Sequence, residues 1–267
     1  MRIKLILFIP IIIIIFMFNA CKDSGTDPGP NGGTPVADSS YFPTTDGAYY
    51  KYNIERTDSN GTQTGTRSSF YNGTEVIGTT TYQVQIDSLL LTGQAEIVDS
   101  MYFRKSEINS GIFYYLDTTG LASSVPGLDT LLQYITLDTE MRIMLFPVYN
   151  NSIWTVFKMN LNLPPLQPFN PVELKASFDG EETLNLNLNP PREVETVRLK
   201  FTLNVRTDPF QPTRVYTAFG WVASGIGFVK WQGNGTIVGV FTGNGVDFDD
   251  TTSVYAQSIT HFNLIDN

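Results

Sequence analysis

The sequence predicts an all-β fold: one large curved antiparallel sheet, half-barrel or sandwich-like, with at most one or two short helices. Three observations carry this. Apolar and polar residues alternate with a period of two in one segment after another. Pairs such as Asn60 with Gly61 punctuate those segments, and both residues tolerate the positive φ that hairpin turns demand. Within the body of the chain only residues 128–137 read as a short helix.

The strands follow in order. Tyr50, Tyr52 and Ile54 alternate with Lys51, Asn53 and Glu55, and Asp58, Ser59, Asn60 and Gly61 then turn the chain. Tyr82, Val84 and Ile86 alternate with Gln83, Gln85 and Asp87, which reads as a buried apolar face and a wet polar one. Leu184, Leu186 and Leu188 alternate with Asn185, Asn187 and Asn189. The longest run sets Val197, Leu199, Phe201, Leu203 and Val205 against Arg198, Lys200, Thr202, Asn204 and Arg206. Asn72 with Gly73, Asn234 with Gly235 and Asn244 with Gly245 are expected to be further hairpin turns. The Pro-rich stretch 163–168 reads as a loop crossing the domain. No break in composition divides residues 41–267, so they are expected to form one β-rich domain, a size at which folding buries roughly 70% of the unfolded surface.

Residues 1–20 have a different character. Arg2 and Lys4 precede an almost unbroken apolar run over 5–18, and Asn19 and Ala20 then lead to Cys21. A basic start, a short apolar core and a small residue before the cut make a secretory signal peptide, too short to span a membrane comfortably. The only Cys of the chain, placed directly after Ala20, resembles the bacterial lipobox. That resemblance implies cleavage before Cys21, its acylation with palmitate-type chains, and anchoring in the lipid bilayer. Two or three acyl chains hold a protein stably where one does not. Residues 21–40 are rich in Gly, Pro, Ser and Thr without an apolar period, and are expected to form a flexible tether. Lys22 after the Cys resembles the outer-membrane sorting pattern, so the expected location is the cell envelope at the outer membrane, facing either the periplasm or the exterior.

Composition excludes several functions. One Cys leaves no intramolecular disulfide and no Cys-based metal cage, and one His leaves no multi-histidine site. With 17 basic against 26 acidic residues, a formal charge of −9, the chain lacks the cationic character that nucleic acid requires. No cofactor motif is present. The glycines at 225 and 227 suit a hairpin rather than a phosphate loop, because a strand and not a helix is expected after them.

Four fragments resemble a group of uncharacterised bacterial outer-membrane lipoproteins of Bacteroidetes type. Tyr41, Phe42 and Pro43, followed by Gly47 and by Tyr49 to Tyr52, are similar to the group's opening, with Tyr50 in place of Trp. Phe146 and Pro147 followed by Trp154 are similar to a mid-chain strand entry. The stretch 221–230, with Trp221, Ala223, Gly225, Gly227, Val229 and Lys230, resembles its W-x-A-x-G-V-G-x-V-K hairpin. Residues 259–264 resemble its final strand. The resemblance implies a curved antiparallel sheet akin to periplasmic lipid carriers, and no activity. Asp87 with Ser88 and Leu89, and Asp99 with Ser100 and Met101, resemble O-glycosylation acceptors of some Bacteroidetes.

No catalytic residues are assigned. His261 lacks a nucleophile elbow to serve and reads as a strand residue. Glu181 and Glu182 are adjacent and face opposite sides of a strand, whereas Glu193 and Glu195 share a face beside Pro190 and Pro191. No metal site is expected, although Asp247, Asp249 and Asp250 offer hard oxygens of the kind Ca²⁺ takes. Trp154, Trp221 and Trp231 are the candidates for a ligand platform. The expected function is a membrane-tethered, non-catalytic binding or carrier module for an apolar or glycan ligand. A structural protein docking an envelope partner is the alternative, and a carboxylate hydrolase the third. A deep cavity would favour the first, an exposed apolar face the second, and two acids across a cleft the third.

Overall fold

The computed structural model describes residues 33–117, 133–162, 164, 167–206, 208, 210–242 and 252–264. Residues 1–20, Cys21, most of the tether, Asn244 with Gly245, and Asp247, Asp249 and Asp250 lie outside the described residues, as does the first half of the 128–137 segment.

Thirteen strands form one sheet: β1 (Tyr49–Asp58), β2 (Gly61–Ile77), β3 (Thr80–Leu91), β4 (Ile97–Ser106), β5 (Gly111–Tyr115), β6 (Ile135–Leu137), β7 (Glu140–Leu145), β8 (Ile153–Leu161), β9 (Phe169–Leu186), β10 (Arg192–Val205), β11 (Arg214–Ala223), β12 (Gly227–Asn234) and β13 (Val254–Asn263). Their order is β6-β8-β9-β10-β11-β12-β13-β1-β2-β3-β4-β5-β7, with every pairing antiparallel. The chain begins mid-sheet at β1, meanders to β5, crosses to the far edge as β6, returns to form the near edge as β7 beside β5, and then runs from β8, next to β6, back to lay β13 beside β1. Only Asp138 and Thr139 separate β6 from β7, which are the two edges of the sheet. The sheet therefore curls until its edges approach along a seam. No ladder closes the seam among the described residues; Trp154 Nε1 of β8 instead donates to the Arg142 carbonyl of β7 at 3.0 Å. Register shifts at Lys51/Tyr52, Tyr71/Thr74, Arg198/Leu199 and Trp221/Val222 supply the bends that curling needs.

The concave side is packed. Tyr50, Tyr52 and Ile54 of β1 and the five apolar residues of β10 from Val197 to Val205 are all buried, as their alternation predicts. The helix α1 (Gly235–Thr242) enters this space. It follows Asn234, which was expected in a hairpin turn; instead the Asn234 side chain caps a helix by accepting from Thr236 N at 3.0 Å. The sequence of α1, with Thr236, Ile237 and Val238, suits a strand, but Ile237, Val238 and Phe241 are buried, Phe241 against the rings of Phe201 and Trp231, and packing overrides propensity.

Two further expectations change. Asn72 and Gly73 are not a hairpin turn: they sit in the bulge of β2, where Gly73 has φ +71° and its N–H donates to Asp46 Oδ1. Residues 36–40, assigned to the tether by composition, join the fold. Val36 N donates to the Val148 carbonyl and Val148 N to the Ala37 carbonyl, each at 2.8 Å, and a 3₁₀ turn spans Ser39–Tyr41. This strap delivers Phe42 into the core against Phe103 and Phe228. At residues 135–137 the expected helix is strand β6.

Candidate functional site

The inner face of β1, β2 and β3 is not apolar throughout. Strand β3 points Gln85 and Asp87 inward, each 3% exposed, and turns Val84 and Ile86 outward. The alternation seen in the sequence is present, but with the faces exchanged. Opposite Asp87 in the register stands Ser69 of β2, and Arg67 lies one step along the same face, 4% exposed.

The Asp87 carboxylate gathers three donors. Arg67 Nη2 reaches Oδ1 at 2.8 Å, Gln85 Nε2 reaches Oδ2 at 2.8 Å, and Ser69 Oγ donates to Oδ1. Tyr114 OH donates to Gln85 Oε1 at 2.7 Å, and the Arg67 guanidinium lies over the Tyr52 ring, 5.6 Å from its centroid. Burial works against the Arg67 charge, but the neighbouring Asp87 carboxylate outweighs it and holds the guanidinium more firmly protonated than usual. Burial likewise pushes the Tyr50, Tyr52, Tyr71 and Tyr114 phenols up, away from neutrality. These groups form a charge-balanced hydrogen-bonding cluster, and the tyrosines stay protonated throughout the physiological range.

A cavity of about 40 Å³ borders this cluster, walled by Tyr50, Arg67, Ser69, Phe42, Trp231 and Phe241 among others. A drug-sized ligand needs about 300–1,000 Å³. The cavity is therefore far below what a lipid or a sugar requires. A larger, open concavity of about 530 Å³ lies across β13, β1 and β2, lined by Asn53, Glu55, Thr64, Thr66 and Ser258. These residues alternate with the buried ones, so this trough is on the outer face.

The exchanged faces of β3 create a second outer feature. Phe70 of β2 pairs with Ile86, and Val84 and Ser88 of β3 pair with Tyr102 and Val98 of β4. Leu90 continues the row. Phe70, Leu90 and Val98 are 39%, 46% and 62% exposed, an apolar strip across three strands. Acids flank it: Ser88 Oγ donates to Glu96 Oε1, and Tyr102 is pushed up by burial and then by Glu75 beside it.

The sequence-derived candidates fall elsewhere. Trp154, Trp221 and Trp231 are 2%, 5% and 3% exposed, so none is an accessible platform. Trp154 braces the seam, Trp221 lies beneath Lys230 Nζ at 4.3 Å, and Trp231 stacks between Phe228 and Phe241. Only Trp231 touches the inner cavity. His261 is exposed on β13 opposite Lys51. Glu182 and Asp179 are engaged by Arg198 at 3.0 and 2.6 Å, and Glu195 accepts from Thr183 at 2.9 Å, so these acids serve outer-face pairing. Asp87 and Leu89 of the glycosylation-like triplet are buried, while Ser88 between them is half-buried on the outer face. Among the described residues no three potential metal ligands cluster. Sequence reading missed Arg67, Ser69, Gln85 and Asp87; the available signal was that Arg67, Ser69 and Tyr71 share one face of β2.

No family model matches the chain, and no curated protein matches it significantly. Among solved structures, it is similar to a proposed exported protein with a YmcC-like fold from Bacteroides fragilis NCTC 9343, at 13% identity over 84% of this chain and 98% of that one, with a TM-score of 0.43. It is also similar to a proposed lipoprotein from Parabacteroides distasonis ATCC 8503, at 12% identity over the same shares, with a TM-score of 0.36.

Proposed function

We propose that this protein is a lipid-anchored envelope module that acts without catalysis, docking a partner protein on the outer face of β2, β3 and β4. Anchoring rests on the signal-like residues 1–20 followed by Cys21. The observation that carries the docking reading is strand β3, which buries Gln85 and Asp87 while leaving Ile86 half-buried and Leu90 exposed beside Phe70 and Val98. An apolar row on the wet side of a sheet is costly in an isolated monomer and is a mark of interaction surfaces. The flanking acids Glu75 and Glu96 select a partner with Lys or Arg around an apolar centre, and oppose self-association, which would set those acids against each other. A carrier role has less support, because the cavity of about 40 Å³ admits neither lipid nor sugar. A glycan in the 530 Å³ trough is the second reading, since its lining combines Asn53, Glu55 and hydroxyl side chains with apolar surface from Ile54 and Ala256.

The test places a photocrosslinking residue at Val98, at Asn53 in the trough, and at Thr202 on the polar outer face of β10, in the full chain expressed in its own cells. Docking predicts one discrete protein adduct from position 98, lost on Leu90→Lys in the same strip and weakened by salt, with none from Thr202. Carbohydrate adducts from Asn53 alone would replace this reading with the glycan one. Loss of palmitate labelling and of membrane retention in Cys21→Ser tests the anchor separately.

A further inference from the structure

We propose that the inner cavity is a hydrated site, in which about three ordered waters serve as permanent ligands of the buried Arg67 guanidinium and Tyr50 phenol. The volume of about 40 Å³ sets the number, since each water occupies about 10–15 Å³ measured in this way. Need comes from the walls. Among the described residues Arg67 Nε is fully buried with no hydrogen-bond partner, and Tyr50 Oη, also fully buried, has only the Tyr71 side chain beside it. Buried polar groups left unmet are rare and costly, and water in a polar cavity is the usual remedy. Ser69, Gln85 and Tyr114 line the same space, so each water finds the two to four polar contacts that hold it.

Other guests fit less well. An anion would meet a guanidinium whose charge Asp87 already balances at 2.8 Å, and would lie close to that carboxylate. An apolar guest is too large, since even benzene needs a cavity of about 150 Å³. Phe42 and Pro43 of the strap, with Ile226 and Gly227 of the β11–β12 turn, form one wall of the site. The strap is pinned by Gly225 N donating to the Ser40 carbonyl at 2.9 Å and by a contact of 3.0 Å between Ser40 Oγ and Ser224 Oγ.

The experiment is oxygen-17 relaxation dispersion on the mature full chain carrying Cys21→Ser, with a high-resolution crystal structure of the same protein. Electron density for waters is expected within hydrogen-bonding distance of Arg67 Nε and Tyr50 Oη. Tyr50→Phe, which keeps the ring and the fold, should lower the dispersion amplitude by about one water. Phe42→Ala should shorten the residence time of those waters without reducing their number. Empty density at Arg67 Nε, or an unchanged amplitude in Tyr50→Phe together with a raised melting temperature, means a dry cavity and overturns the proposal.

Discussion

Replacing Asp87 by Asn removes one charge and almost no volume, which makes it a sharp test of the buried cluster. The Arg67 and Asp87 side chains are 5% and 4% exposed and meet at 2.8 Å. Asn keeps one oxygen for Arg67 and Ser69 but sets its Nδ2 against the Gln85 amide donor, so the counter-charge and one acceptor are lost together. Arg67 then remains buried with nothing to balance it, a situation that costs about 3–5 kcal/mol. That is a large share of the roughly 5–15 kcal/mol that holds a domain folded. At a urea slope of about 2–3 kcal/mol/M, the unfolding midpoint should fall by about 1–2 M without a change in slope. The double replacement Arg67→Met with Asp87→Leu should recover most of that loss, because a hydrophobic substitute for a buried ion pair is often neutral or better. The measurement is urea unfolding of the mature chain carrying Cys21→Ser, followed by circular dichroism, for wild type, both single variants and the double. A cost below about 1 kcal/mol for Asp87→Asn is what a solvent-exposed pair gives, and would refute the reading of a desolvated cluster.

Other outcomes follow from the same geometry. Burial on its own would raise the Glu140 carboxyl, but hydrogen bonds from Arg104 and Tyr82 outweigh it and hold it below the ordinary 4.5. A depressed folded-state value gives stability that is complete above 4.5 and lost as pH falls below it, so the melting-temperature gap between wild type and Glu140→Gln should close in acid; a gap that persists there contradicts the linkage. Gly220 lies under the interior aromatics, and a Cβ there would stand 2.8 Å from Phe228 and 3.1 Å from Trp231. Gly220→Ala should therefore cost about 1–3 kcal/mol in urea unfolding, and a neutral result would mean that the rings move aside freely. His261→Ala, at an exposed position, should change stability by less than about 0.5 kcal/mol.

What the sequence disclosed about the fold, and what it hid, divides along one physical line. Alternation reports that a strand has two unlike faces, and in β10 the apolar face from Val197 to Val205 is the buried one. In β3 the same pattern is equally clear, yet the polar face is buried. Nothing local in β3 reveals this, because the reason lies in β2, whose Arg67 and Ser69 stand across from Leu89 and Asp87 in the register. A buried acid is tolerable only where a buried base meets it. Asn with Gly shows a similar limit. It marks a backbone that can take positive φ, and the surroundings decide among a hairpin at Asn60, a bulge at Asn72 and a helix cap at Asn234. The tryptophans were attractive as platforms because of their chemistry, but chemistry does not report depth, and all three are buried.

The inversion of β3 ties the two candidate surfaces together. From Gln85 to Leu91 the inner face carries Gln85, Asp87, Leu89 and Leu91, which sets Val84, Ile86 and Leu90 on the other side, while Tyr82 near the strand's start is also buried. A protein that needed only a stable interior would be served better by apolar residues at 85 and 87. The register is held by the Arg67–Asp87 pair: slipping β3 by one residue would carry Asp87 to the surface and strand Arg67 in the core. The ion pair thus acts as a lock that keeps the apolar row facing outward. On this argument Arg67→Met with Asp87→Leu, although stable, should lose the strict placement of β3, and a crosslinker at Val98 should then lose its discrete adduct while the melting temperature stays near that of wild type. Retention of the adduct in that double variant would separate the lock from the docking face.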